Sequence, residues 1–218
     1  MTFSTILEQL AGGMLNSMGI FFLTLIFSLP LGLLIAFGRM SKFKVISIPV
    51  NVIISILRGT PLMLQLLVWY FFPYYLFGWS IGNWRFPAII VGFSINYAAY
   101  FAEIYRSGIE AIPKGQYEAS SILGYSKLQT FFKNIFPQVI KIILPSITNE
   151  IITLVKDTSL AFSLNYLEMF AIAKQIAARE TTMIPFVVAA VFYYIFNLLV
   201  TIIMGKLEKR ARRYEKEA

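Results

Sequence analysis

Two apolar segments of this chain carry polar side chains at helical spacing, where a helix facing only lipid has none. Asn96, Tyr100 and Glu103 fall at i, i+4 and i+7 in one of them. Glu150, Thr153 and Asp157 fall at i, i+3 and i+7 in the other, with Asn149 and Lys156 as a neighbouring pair. Arg58 ends part of a third apolar run, directly before Gly59-Thr60-Pro61. Carboxylates accept from an ammonium group, while a guanidinium or an amide donates to a carboxylate. The set therefore suits reversible binding of a small zwitterion better than bond-making chemistry. The sequence contains no His and no Cys, which removes imidazole, thiolate and disulfide chemistry. No nucleophile–base pair and no metal-binding acidic cluster stands out, so no catalytic residue and no bound metal or cofactor is expected.

Such residues must be held by long helices in a membrane. The chain has 218 residues, of which 58% are hydrophobic, against about 45–50% apolar in soluble domains. A spanning helix needs roughly 20 mainly apolar residues, and five segments qualify: about 16–37, 45–76, 86–108, 138–159 and 184–205. They form one all-helical membrane domain over 1–218. The second segment is too long for a plain span, and Arg58-Gly59-Thr60-Pro61 is expected to kink or split it. At a rise of about 1.5 Å per residue, Asn96 lies about 15 Å from the outer end of its span. By the same count Glu150 and Arg58 lie about 18–20 Å from the inner ends of theirs. All three then sit near the middle of a core roughly 30 Å thick. Asn96 and Glu150 are expected to face each other there, Asn96 donating to a carboxylate and Glu150 accepting from an ammonium.

Charge orients the bundle. The net charge is +8, which on a soluble protein suggests nucleic acid, but here the basic residues cap apolar runs. With the C-terminus inside, fourteen of the 19 basic residues fall on inner segments. They are Arg39, Lys42, Lys44, Arg106, Lys114, Lys127, Lys133, Lys141, Lys206, Lys209, Arg210, Arg212, Arg213 and Lys216. Only Arg85, Lys174 and Arg179 fall outside. This predicts an outer N-terminus and a cytoplasmic C-terminus, with no nucleic-acid partner. The basic tail is expected to meet anionic lipid headgroups. No basic residue precedes Arg39, so no positively charged leader region is evident. Residues 160–183 on the outer side predict a short amphipathic helix lying at or folding into that surface.

Between the third and fourth segments lies a polar stretch, 113–137. Pro113 and Gly115 punctuate its start, Gln116 to Leu123 can form two helical turns, Gly124 ends them, and Pro137 is expected to begin the next span. This stretch resembles the EAA loop of ABC-importer permeases, in which Glu-Ala-Ala-x3-Gly-x9-Ile-x-Leu-Pro forms the coupling helix. Glu118, Ala119, Gly124 and Pro137 match that pattern, while Ser120, Asn134 and Phe136 replace its second Ala, its Ile and its Leu. Further fragments resemble the polar amino-acid branch of these permeases: Arg58-Gly59-Thr60-Pro61-Leu62; Tyr100, Glu103, Arg106, Gly108 and Ile109; Gly115-Gln116 with Glu118-Ala119; Pro137-Gln138-Val139; and Lys156-Asp157-Thr158-Ser159-Leu160.

The resemblance implies a type I permease subunit in a bacterial cytoplasmic membrane, importing polar amino acids by alternating access. It also implies two separate ATPase subunits that use ATP and Mg, a second identical or related permease subunit, and an extracytoplasmic substrate-binding protein. No GxxxxGK[ST] phosphate loop occurs, so hydrolysis is expected from a partner and this chain is not itself an enzyme. On this reading Asn96, Tyr100, Glu150, Thr153 and Arg58 are candidates for the solute cavity. Glu103, Arg106, Lys156 and Asp157 are candidates for a gate or ion pairs, and Glu118, Ala119 and Gly124 for contact with the ATPase. Two other readings are a permease for another small solute such as methionine, and a proton-coupled secondary transporter using Glu150 and Glu103. The second of these often shows inverted internal repeats, and none is visible in the sequence.

Overall fold

The computed structural model describes residues 1–213, in which every regular element is helical. Lys216 lies outside them. In chain order the elements are α1 Phe3–Arg39, α2 Lys44–Gly59, α3 Leu62–Phe77, α4 Arg85–Glu110 and α5 Lys114–Ile122. A short α6, Lys127–Gln129, passes through a π-helical turn, Thr130–Ile135, into α7, Phe136–Asp157. A 3-10 segment, Thr158–Leu164, then leads to α8, Met169–Glu180, and α9, Ile184–Arg213. Among the described residues, four helical runs are long and apolar enough to cross a membrane, or five if α2 and α3 count as one broken span.

The core is built around α4. Its most apolar 18-residue window is 72% buried, against 22–39% for the other three long runs, so α4 is surrounded by protein and the others keep a lipid face. Helix α1 lies along it. Gly32 permits the approach: a Cβ there would stand 2.8 Å from the Phe101 Cβ and 3.1 Å from the Ala98 carbonyl oxygen. Gly108 does the same on the other side, where a Cβ would meet the Ile143 side chain of α7. Without hydrophobic driving force between helices in lipid, such close backbone contacts carry the packing.

Two boundaries differ from those expected, and one expected break is found. Helix α1 starts at Phe3 rather than near residue 16, because its first turns bury Ile6, Leu10, Gly13 and Met14 and pack on α8. The second span is split at the expected Gly59-Thr60-Pro61 break, where α2 and α3 meet at 114°. The helix of the fourth span starts at Lys127, not Pro137. Ser126 and Gln129 form a capping box there, and helical structure continues to Leu164. Pro137 has no N–H for the carbonyl four residues back, and its ring would crowd that carbonyl. The π turn relieves this, with the Phe136 N–H reaching the Phe131 carbonyl five residues back.

The break between α2 and α3 is chemically closed. Pro61 deprives the Leu57 carbonyl of its helical donor. The Gln65 Nε2 donates to that carbonyl at 2.8 Å and the Asn96 Nδ2 at 3.1 Å. The Thr60 hydroxyl donates to the Ile56 carbonyl at 2.8 Å and accepts from Gln65 at 2.9 Å.

Side-chain contacts sort the helix ends into two faces. On one, Arg39 meets Glu103 and Phe37 meets Phe131, which brings together the C-terminal ends of α1 and α4 and the α5–α6 region. On the other, Ser17 and Met169 meet, and Arg85 donates to the Asn165 carbonyl at 3.4 Å. Aromatic residues collect toward this second face, including Tyr74, Tyr75, Phe77 and Trp79, as at a membrane–water boundary.

Candidate translocation cavity and coupling segment

The Arg58 side chain, at the end of α2, packs over the Tyr100 ring of α4, with 5.2 Å between the guanidinium carbon and the ring centroid. Glu150 and Tyr100 are half-buried, and Asn149, Thr153 and Lys156 are exposed along the same side of α7. Thr153 donates back to the Asn149 carbonyl at 3.0 Å. Asp157, one turn further, accepts from the Tyr97 hydroxyl at 2.7 Å. Lys156 makes no ion pair among the described residues. The result is a polar wall within the bundle, made by α2, α4 and α7 and open on one side.

Asn96 is placed differently from expectation. It is 4% exposed, and its two amide hydrogens go to the Leu57 carbonyl and, at 3.0 Å, to the Gln65 Oε1. Neither is left for a solute carboxylate. Depth along a helix was legible in the sequence; the side from which α3 packs on α4 was not. Gln65, unremarked in the sequence, is the partner that decides it.

Glu103 and Arg106 form the expected i, i+3 pair at 2.8 Å. Arg106 also reaches Glu110, and Arg39 of α1 approaches Glu103 at 3.5 Å. The cluster ties the ends of α1 and α4 together. At this partial exposure each pair contributes only about 0–1 kcal/mol.

The coupling segment has the opposite character. Helix α5 ends in a Schellman motif: the Gly124 N–H donates to the Ser121 carbonyl and the Tyr125 N–H to the Ser120 carbonyl. Gly124 has φ +77° and nothing within 4 Å of a built Cβ. It is therefore needed for its backbone conformation, not for space. Beneath α5, the Ser120 hydroxyl donates to the Gln116 carbonyl at 2.8 Å and accepts from Asn134 Nδ2 at 2.8 Å. Gln138 Nε2 reaches the Asn134 carbonyl at 2.8 Å. Two of the departures from the EAA pattern, Ser120 and Asn134, are thus partners in one hydrogen bond that braces α5 on the π turn. Glu118, Ala119, Ile122 and Leu123 remain exposed on its outer side.

A further buried cluster went unrecognised in the sequence. Glu168 is fully buried and caps α8, accepting from the Phe170 and Ala171 N–H groups at 2.7 Å each. It also accepts from the Tyr193 hydroxyl of α9 at 3.1 Å and the Ser17 hydroxyl of α1 at 3.4 Å. An acid directly before an apolar helical run was the available signal.

An all-helical spanning bundle with a braced helix projecting from one end suits a membrane subunit driven by a soluble partner. Residues 28–213 match the family described as binding-protein-dependent transport system inner membrane component, and the chain belongs to that family. It is 35% identical over 208 residues to the L-cystine transport system permease protein TcyB of Bacillus subtilis, covering 94% of this chain and 87% of that protein. It is 37% identical over 190 residues to a putative glutamine transport system permease protein GlnP of Rickettsia bellii, covering 86% of each. A chain from the crystal structure of an amino acid ABC transporter with histidines superposes with TM-score 0.83 at 30% identity, covering 96% of this chain and 99% of that one. The protein is a multi-pass inner-membrane permease subunit of the type I fold.

Proposed function

We propose that this subunit carries polar amino acids inward, with Arg58, Tyr100, Glu150 and Thr153 lining the solute cavity. The observation that supports this most is the open polar wall formed by α2, α4 and α7. An ionisable residue at membrane depth costs at least about 2.5–3.5 kcal/mol on insertion scales and is kept where it faces water or a partner. The relatives' names, which carry cystine and glutamine, agree with a zwitterionic solute. Asn96 acts as a brace for the helix break. Glu103 and Arg106, with Arg39, form the inner gate, and Asp157 with Tyr97 stiffens the wall above Glu150.

The face that carries Arg39 and α5 is cytoplasmic, because the basic residues concentrate there. Two separate ATPases dock on the exposed side of α5 through Glu118, Ala119, Ile122 and Leu123, and hydrolyse ATP with Mg. A second permease subunit closes the open side of the cavity, and an extracytoplasmic binding protein delivers solute at the opposite face. Closure of the ATPases moves the braced knob as a unit and shifts the helices between two packings. The test is uptake of labelled amino acids into vesicles holding the assembled transporter. ATP-dependent accumulation of a polar amino acid supports the reading. Uptake driven by a proton gradient without the ATPase overturns it.

A further inference from the structure

Helix α2 carries a polar strip that the cavity alone does not use. Lys44, Ser47, Asn51, Ser55 and Arg58 recur at steps of three and four residues. At 100° per residue they fall within a strip about 80° wide. On one side it borders the packed edge of Val50, Ile54 and Leu57. On the other it borders the exposed apolar residues Ile48, Val52 and Ile56. Asn51, Ser55 and Arg58 are exposed and Ser47 is half-buried. Among the described residues, the side chains of Ser47, Asn51 and Ser55 make no hydrogen bond. Hydrocarbon cannot satisfy an amide or a hydroxyl, so the strip is turned from lipid, toward the water of the open cavity or the second subunit beside it.

Its two ends say where that water leads. By helical rise the strip spans about 21 Å. Its far end is Arg58, which packs over the Tyr100 ring. Its near end is Lys44, five residues beyond Arg39 on the face that holds the coupling segment. We infer that the Ser47–Asn51–Ser55 strip of α2 is the cytoplasmic half of the solute path, which a small zwitterion follows after leaving the Arg58–Tyr100–Glu150 wall. The strip contains neutral hydroxyls and an amide and no acid. Such groups exchange hydrogen bonds with an ammonium or a carboxylate without holding either, as a route of exit requires.

The solute class rests on the amino-acid reading; the path does not. The absence of native Cys makes the test clean. Single variants Ser47→Cys, Asn51→Cys and Ser55→Cys, with Val52→Cys and Ile56→Cys as lipid-side controls, are assembled with the ATPase in inside-out vesicles. Only variants that retain ATP-driven transport are treated with a membrane-impermeant methanethiosulfonate reagent, with and without trapped nucleotide. Ser55→Cys is nearly isosteric, which guards against a folding defect. The strip positions should react from the cytoplasmic side without nucleotide, lose reactivity when nucleotide is trapped, and, once modified, lose ATP-driven release of amino acid preloaded in the lumen with its binding protein. The controls should stay unreactive. Reaction of the controls at the same rate as the strip overturns the path. So does a disulfide joining two copies through the strip in every nucleotide state, which would make it a fixed subunit interface. If the strip reacts with this nucleotide dependence but the transported solute is not an amino acid, the path stands and the solute class falls.

Discussion

The coupling segment and the membrane cavity are both polar, yet they treat polar atoms in opposite ways. Around α5, Gln116, Ser120, Asn134 and Gln138 are joined to one another and to backbone. Around Arg58 and Glu150, the polar groups of α7 line an open side and Lys156 has no ion-pair partner among the described residues. Saturated hydrogen bonding makes a part stiff, which a lever needs. Unsatisfied groups held at fixed positions make a part receptive, which a binding site needs. Recognition and force transmission are thereby separated along the chain, joined through α4 and α7.

That separation can be broken most severely at Gly124. Its left-handed backbone costs a β-branched residue about 1–2 kcal/mol or more, so Gly124→Val should displace the knob and abolish uptake while the subunit still inserts. Asn tolerates this conformation, and Gly124→Asn should transport nearly as well as the parent. Vesicle uptake of both variants checks this. Equal loss in both would shift the explanation from backbone to the exposed surface.

Asn96→Leu comes next. It removes two donors from the α2–α3 break and leaves the Gln65 oxygen unpaired, at about 1–3 kcal/mol. Thermal stability in detergent should fall, and uptake should drop alike for neutral and cationic amino acids. A selective loss for one class would return Asn96 to the cavity. Glu150→Gln should instead act on selectivity. Losing one charged contact, about 1.5–3 kcal/mol, should weaken uptake of cationic amino acids by about tenfold or more relative to neutral ones. Competition between labelled solutes measures the ratio, and an equal loss for both would make Glu150 structural.

The smallest effect is the most diagnostic of bracing. Ser120→Ala alone leaves the Asn134 amide short of an acceptor and should destabilise the subunit by about 1–2 kcal/mol. Adding Asn134→Ile restores the family's pattern and should recover most of that loss. A double-mutant cycle by thermal denaturation gives the coupling, and simple additivity would dissolve the pair.

What the sequence disclosed follows from which forces are local. The spans, the Gly124 stop and the break at Thr60-Pro61 were legible because hydropathy, left-handed backbone and a missing N–H act within one or two turns. The Ser120–Asn134 bond was visible only as two departures from a pattern, since the π turn that aligns them depends on Pro137 in a continuous helix. Asn96 misled because depth can be counted along one helix, whereas azimuth depends on the partner that packs against it. Glu168 was hidden for the same reason: Ser17 and Tyr193 reach it from α1 and α9, far away in the chain.

The most direct test of the separation is the number of solute molecules imported per ATP hydrolysed, measured with the half-saturating solute concentration in the same vesicles for Gly124→Val and Glu150→Gln. For Gly124→Val, hydrolysis should continue while the ratio collapses for every amino acid and half-saturation of any residual uptake stays unchanged. For Glu150→Gln, the ratio for neutral amino acids should hold and half-saturation for cationic ones should rise. A normal import ratio in Gly124→Val, or a collapsed ratio for neutral solutes in Glu150→Gln, would contradict the division of labour between the braced knob and the open wall.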